Sequence, residues 1–264
     1  MPTVIPRNII ITGASSGLGA GLALSYANPA SHLTLTGRNA ERLEIVASKA
    51  RASGARVTSQ LIDVADPAAM TAFLTGIDAA HPTDLLIANA GISAGTNPDG
   101  SLETLGSARD IIATNLGGVM NSVIPLIAPM RARGCGQIAL IGSVAAYRGL
   151  PDSPAYCASK AAVRIYGESL RPALAPFGIK LSVVLPGFFE SPMSRRYQGA
   201  HLFELTLEQT VTRIRRGLDR AAPRIVLPRR LGLLLQLADL LPAIFGDWAI
   251  GHARFRIDPE PPPR

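Results

Sequence analysis

Short apolar runs alternate along this chain with longer stretches of helical spacing, and that alternation limits the available folds more than any other feature. The runs at 8–12, 32–36, 56–62, 84–88, 137–142, 179–185 and 224–227 are rich in Ile, Leu and Val, and several lack the in-and-out pattern of a half-exposed strand. Strands covered by helices on both faces read this way. Between them, segments at 17–28, 39–53, 67–80, 101–133 and 153–177 have helical periodicity. A β-α-β-α order with buried strands predicts an α/β fold: a doubly wound parallel sheet of about seven strands with helices on both faces. Asp66 followed by Pro67 reads as an N-cap with proline in the first helical position, and Gly54 and Gly178 stand where helices should stop.

The 264 residues, 47% hydrophobic and 17% charged, exclude a disordered chain and fit one domain spanning 1–264. Cys135 and Cys157 build neither a disulfide framework nor a four-cysteine metal site, which fits a reducing, cytoplasmic setting. His32, His81, His201 and His252 form no ligand cluster, so no metal is expected. The first strand begins almost at once, so no signal peptide is expected.

The run TGASSGLG at 12–19 ends the first strand and opens the first helix. Glycines at 13, 17 and 19 let the backbone turn tightly and approach a ligand, and the exposed amides of a helix start attract a pyrophosphate. The spacing departs from the usual GxGxxG, and a ligand-free turn remains open on this run alone. About 20 residues on, where an acid would bind the ribose 2′-hydroxyl of NAD, stands Arg38. A guanidinium there suits a 2′-phosphate and favours NADP(H) over NAD(H).

In YCASK at 156–160, helical spacing places Tyr156 and Lys160 on one face. A free phenol, with a pKa of about 10, is a weak proton carrier at neutral pH, and a neighbouring ammonium would make it a better one. Ser143 closes the fifth run, at the carboxyl edge where open α/β sheets bind ligands. Taken alone, a Tyr–Lys pair is equally an ordinary helix-surface contact.

In order, TGASSGLG, Asp63-Val64, ANAG at 88–91, Asn115, Ser143, YCASK and Pro186-Gly187 make the chain resemble the short-chain dehydrogenases/reductases over residues 8 to about 195. The resemblance implies a Rossmann-type fold and an oxidoreductase that interconverts a small-molecule carbonyl and an alcohol, with NADP(H) as cofactor. It implies that Tyr156 is the general acid/base, that Lys160 lowers its pKa and binds the nicotinamide ribose, that Ser143 orients the substrate oxygen, and that Asn115 supports a proton-relay water. Cofactor contacts would come from Gly13, Ser15, Ser16, Gly17, Leu18 and Gly19, from Arg38, Asp63 and Val64, and from Asn89, Ala90 and Gly91. Pro186, Gly187, Ser191 and Met193 would border the nicotinamide. Homodimers or homotetramers are common in such families. A lipophilic ketone or alcohol and a 3-oxoacyl thioester are both open as substrates. A non-catalytic dinucleotide sensor is the contrasting class, against which the intact Ser143, Tyr156 and Lys160 speak.

The net charge is +7, and residues 191–264 alone hold 12 basic and 7 acidic side chains. Residues 188–220 are expected to cover the substrate. Residues 229–257 form an apolar and basic C-terminal extension, read as two short helices, the first with Gly232, Gln236 and Asp239 as a thin polar stripe. Pro242, Asp239 and Asp247 argue against a membrane-spanning helix. A subunit interface, a peripheral membrane contact and a lid over a lipophilic substrate all fit this surface. Nucleic acid does not, because no recognition motif accompanies the arginines.

Overall fold

The computed structural model describes residues 6–93, 103–198, 203–240, 242, 244 and 256–257. Its strands are β1 (Asn8–Ile11), β2 (His32–Gly37), β3 (Arg56–Leu61), β4 (Leu85–Ala88), β5 (Gly136–Ile141), β6 (Ile179–Pro186), β7 (Tyr197–Gln198), β8 (Arg224–Leu227) and β9 (Arg256–Ile257). Seven of them form one parallel sheet in the order β3-β2-β1-β4-β5-β6-β8, while β7 and β9 pair antiparallel apart from it. The helices are α1 (Gly17–Tyr26), α2 (Ala40–Ala52), α3 (Pro67–Ala80), α4 (Leu105–Ile112), α5 (Gly118–Arg133), α6 (Pro154–Leu174), α7 (Leu207–Asp219) and α8 (Arg229–Asp239). This is the doubly wound, Rossmann-type sheet that the alternation of runs predicts.

Strand geometry splits the core into two layers. Successive side chains of β1 point to opposite faces, so Ile9 and Ile11 join Leu33, Leu35, Leu85 and Ile87 under α1, α2 and α7. Ile10 joins Leu86, Ile138, Leu140 and Val183 under α3, α5 and α6. Because both faces are covered, these strands read as continuous apolar runs. Each such side chain contributes about 1.5–3 kcal/mol through burial.

Local signals act as the sequence suggests. Asp66 Oδ1 accepts from the amides of Ala68 and Ala69, both at 3.0 Å, with Pro67 in the first turn of α3. Asn39, which the sequence reading did not mark, likewise caps α2 by accepting from the Arg42 amide at 2.8 Å.

Three segments differ from the sequence reading. The helix expected over 101–133 begins at Leu105 and contains one π-helical turn, Ala113–Gly117, between α4 and α5. A single wide turn leaves the apolar periodicity on either side intact, so the pattern does not betray it. By length and mean hydropathy of 1.6 the stretch Leu105–Arg133 could cross a bilayer. Instead, its Ile111, Val119, Val123, Leu126 and Met130 are buried in the core.

Among the described residues of the expected cover, 188–220, those that border the cleft described below lie between Phe188 and Tyr197. α7 buries Val211, Ile214 and Leu218 in the layer beneath α1 and so completes the sheet's helical coat. In the C-terminal extension, α8 forms, but Gly232 belongs to its buried face rather than to a polar stripe: a Cβ there would run into the Val226 side chain of β8. The second helix expected there falls mostly outside the described residues.

Candidate active site

Strand order reverses between β1 and β4, and the loops leaving their carboxyl ends part there to open a crevice. Close packing shapes its floor. Thr12 Oγ1 accepts from the amides of Asn89 at 3.0 Å and Ala90 at 3.1 Å, and the Asn89 amide donates back to the Thr12 and Gly13 carbonyls at 2.9 and 3.1 Å. Gly13 has φ +65°, and a Cβ on it would lie 2.7 Å from Ala90 Cα. At Gly19 a Cβ would strike the Gly13 carbonyl and the Asn89 side chain. These two glycines are required by backbone conformation and close approach, whatever binds above them.

The crevice has a volume of about 1330 Å³ and is bordered by Gly13, Ser15, Ser16, Gly17 and Leu18, by Arg38, Asp63 and Val64, and by Asn89, Ala90 and Gly91. Ser143, Tyr156, Lys160, Pro186, Gly187, Ser191 and Met193 border its other end. Two of the residues singled out in the sequence stand behind this lining: Gly19, in the packing just described, and Asn115.

Asn115 is fully buried in the π-helical turn. Its Nδ2 donates to the Ile92 carbonyl at 3.0 Å and to Ser159 Oγ at 2.9 Å, while its Oδ1 accepts from the Ile92 amide at 2.8 Å. Ser159 in turn donates to the Tyr156 carbonyl at 2.7 Å. The side chain thus ties the segment after β4 to α6.

At the inner end, Ser143 Oγ accepts from the Ala145 amide at 3.1 Å and hydrogen-bonds the Tyr156 hydroxyl. Lys160 Nζ donates to the Ile141 carbonyl at 3.0 Å and lies 5.7 Å from the centre of the Tyr156 ring. Burial dominates both groups. It pushes the Lys160 ammonium down to about 8. It pushes the phenol of Tyr156 above its ordinary value; neighbouring Tyr197 adds to this and the Ser143 hydrogen bond opposes it. Burial is thus the leading influence on the Tyr156 phenol in the cleft as it stands.

Ser191 Oγ accepts from the Ser194 amide at 3.0 Å, and Ser194 Oγ accepts from the Ser191 amide at 2.9 Å. This reciprocal turn presents Met193 to the cleft. At the outer end, Arg38 and Asp63 face each other at 3.9 Å, both largely exposed, and Asp63 Oδ1 also accepts from the Ala65 amide at 2.9 Å.

The family model described as short chain dehydrogenase matches residues 7–201. The chain belongs to the short-chain dehydrogenase family. An uncharacterized oxidoreductase of Myxococcus xanthus is 31% identical to it over 249 residues, 94% of this chain and 98% of that one. The monensin polyketide synthase putative ketoacyl reductase of Streptomyces virginiae is 35% identical over 213 residues, 78% of this chain and 80% of that one. Among solved structures, a short-chain dehydrogenase from Sphingobium yanoikuyae in complex with NADPH superposes with a TM-score of 0.75 at 25% identity, covering 93% of each chain.

In this short-chain dehydrogenase the cleft also has walls that the motifs do not announce. Asn39 and Arg42 border its outer end, and Arg42, one helical turn beyond Arg38, is the one with a spacing signal. Arg148, Arg196 and Tyr197 border the inner end. The Tyr197 ring packs edge-on against Phe188, with centres 5.4 Å apart, and its hydroxyl hydrogen-bonds Ser93 and Ser153. Leu231, Leu234 and Leu235 of α8 line the same end. No motif marks these residues, because chain segments far apart in sequence meet only when folded. Among the described residues, no group of three or more His, Cys, Asp or Glu could hold a metal ion.

Proposed function

We propose that this short-chain dehydrogenase is an NADP(H)-dependent reductase of ketones, acting on CH–OH/C=O pairs with Tyr156 as general acid/base. The observation that carries the reading is the meeting of Ser143, Tyr156 and Lys160 at one end of a crevice whose other end is the glycine loop. The residues present fit a dinucleotide. The glycine loop borders the cleft at the start of α1, and Arg38 and Arg42 border its outer end with one carboxylate, Asp63, among the described lining, a charge balance that suits a 2′-phosphate.

When bound, NADPH supplies the hydride that adds to the carbonyl carbon. Gly13, Ser15, Ser16, Gly17 and Leu18 would cradle its pyrophosphate, while Asp63, Val64, Ala90 and Gly91 would border the adenosine and ribose. Asn89 would hold that loop in shape. Pro186, Gly187, Ser191 and Met193 would flank the nicotinamide. Ser143 orients the substrate oxygen toward the Tyr156 hydroxyl, which donates its proton as the alcohol forms. Lys160 would hold the cofactor ribose with its ammonium and, with Asn115 shaping the segment at Gly91–Ile92, would pass a proton back from solvent.

The substrate end is apolar along Leu150, Phe188, Leu231 and Leu235, which supports a lipophilic ketone. A 3-oxoacyl thioester is the second reading, favoured by the likeness to a putative ketoacyl reductase. Self-association into dimers or tetramers belongs to the same reading, and Ile112 and Ile165 are exposed on α4 and α6 for such a contact. The test is NADPH consumption with a panel of apolar ketones and a 3-oxoacyl thioester. Turnover of the ketones alone supports the first reading, turnover of the thioester alone the second, and no consumption with any of them returns the chain to a non-catalytic, dinucleotide-sensing role.

A further inference from the structure

α8 has two faces, and among the described residues only one is packed against the fold. Leu231 and Gly232 are buried against the sheet, with Gly232 on Val226 and Leu231 beside Gly187. On the outward side Leu233 is 60% exposed, Leu234 55%, Leu237 55% and Leu240 81%, and Ile244 beyond it is 73% exposed. Leu233, Leu237 and Leu240 follow one another at helical spacing as a stripe. Four large aliphatic side chains in water on one short helix and its C-cap, Leu240, are more than a monomer's surface ordinarily carries.

Leu234 belongs to both surfaces: it borders the cleft and is half in solvent. The apolar stripe therefore begins at the mouth of the substrate end and runs outward from it.

Charge indicates what covers the stripe. α8 opens with Arg229 and Arg230, both exposed, in the turn where the helix dipole is already positive. Cations there oppose the helix, so they serve something outside it. All 12 basic residues of 191–264 are arginine, the side chain that binds phosphate in a bidentate fashion. A second copy meeting this face through a two-fold axis would bring like-charged surfaces together. An anionic lipid surface answers both the leucines and the arginines.

We propose that α8 docks this protein on an anionic membrane surface, with Leu233, Leu237 and Leu240 in the acyl boundary and Arg229 and Arg230 at the headgroup phosphates. The cleft mouth at Leu234 then opens toward the lipid, and an apolar carbonyl substrate enters from the bilayer. This last step rests on the reductase reading; docking itself does not.

The test uses the full-length protein and sedimentation with phosphatidylglycerol–phosphatidylcholine vesicles or with phosphatidylcholine alone. The wild type is expected to sediment with the anionic vesicles and to be released by salt. Replacing Leu233 and Leu237 together by Glu, away from the cleft lining, should lower partitioning by about tenfold or more. Arg229→Glu with Arg230→Glu should remove the preference for anionic lipid. NADPH oxidation with a water-soluble ketone should stay unchanged in all of them, so a dead enzyme that still binds vesicles sinks the reductase reading and not the docking. Wild-type protein left in the supernatant, or leucine variants that bind undiminished, would overturn the docking. So would leucine variants whose only change is a lower mass in analytical ultracentrifugation, which would assign the face to a second copy.

Discussion

Lys160 Nζ lies 5.7 Å from the Tyr156 ring centre and spends a hydrogen bond on the Ile141 carbonyl at 3.0 Å. Burial holds the ammonium down to about 8. The group is thus charged below that pH and neutral above it. Carbonyl reduction that needs the ammonium is expected to keep its kcat/KM through neutral pH and to decline as the pH rises past about 8. Initial rates of NADPH oxidation at subsaturating substrate measure this, and a profile flat into the alkaline range would separate Lys160 from the reaction.

Tyr156→Phe removes the proton donor while leaving the ring in place. Turnover should fall by about 10²–10⁴-fold. NADPH affinity, read by fluorescence titration, should stay near wild type, and unaltered turnover would refute the assigned role.

Tyr197→Phe keeps the packing on Phe188 but gives up the hydrogen bonds to Ser93 and Ser153. Each such bond is worth about 1 kcal/mol. A loosened wall should raise KM by up to roughly tenfold with a smaller change in kcat. Steady-state kinetics on one ketone distinguish this from a loss confined to kcat, which would place Tyr197 in the chemistry instead.

Arg38 and Arg42 stand together at the outer end of the cleft. Arg38→Asp should weaken NADPH binding by roughly tenfold to a hundredfold and improve NADH, and Arg42→Ala should weaken NADPH in the same direction. Parallel titrations with both dinucleotides check it. Equal NADPH affinity in the Arg38 variant would count against a 2′-phosphate site.

Far from the cleft, buried Asp78 accepts from Arg133 Nη1 at 2.6 Å and Nη2 at 3.0 Å, and from the Thr83 amide at 2.9 Å. Burial raises its pKa, but the hydrogen bonds from Arg133 and Thr83 prevail and hold the carboxyl below its usual value. Its stabilising effect is therefore complete above the unfolded carboxyl pKa of about 4 and is lost as pH falls through the lower folded value. Arg133→Ala leaves the carboxylate buried without its ion pair and should cost about 3 kcal/mol, read by chemical denaturation at neutral pH. A loss under about 0.5 kcal/mol would show the pair to be dispensable.

The inner strands were legible because burial on both faces leaves a continuous apolar run, and the glycine loop because Gly13 and Gly19 answer to backbone contacts local to β1, α1 and β4. Less of the site could be read. Asn115 stands out as a single polar residue in an apolar stretch, yet its partners Ile92 and Ser159 are 23 and 44 positions away. Burial is the leading influence on both Tyr156 and Lys160, and no spacing reports it.

The sequence by itself determined the α/β architecture, the family and the motifs that gather around the cleft, because periodicity and short motifs are properties of neighbouring residues. Only the tertiary structure decided which of those residues line the cleft and which hold it from behind, how Tyr197 seals it, that α7 serves the core rather than the substrate, and which face of α8 remains open. Those outcomes depend on which distant segments pack together and exclude water from one another, and burial of that kind exists only once the chain is folded.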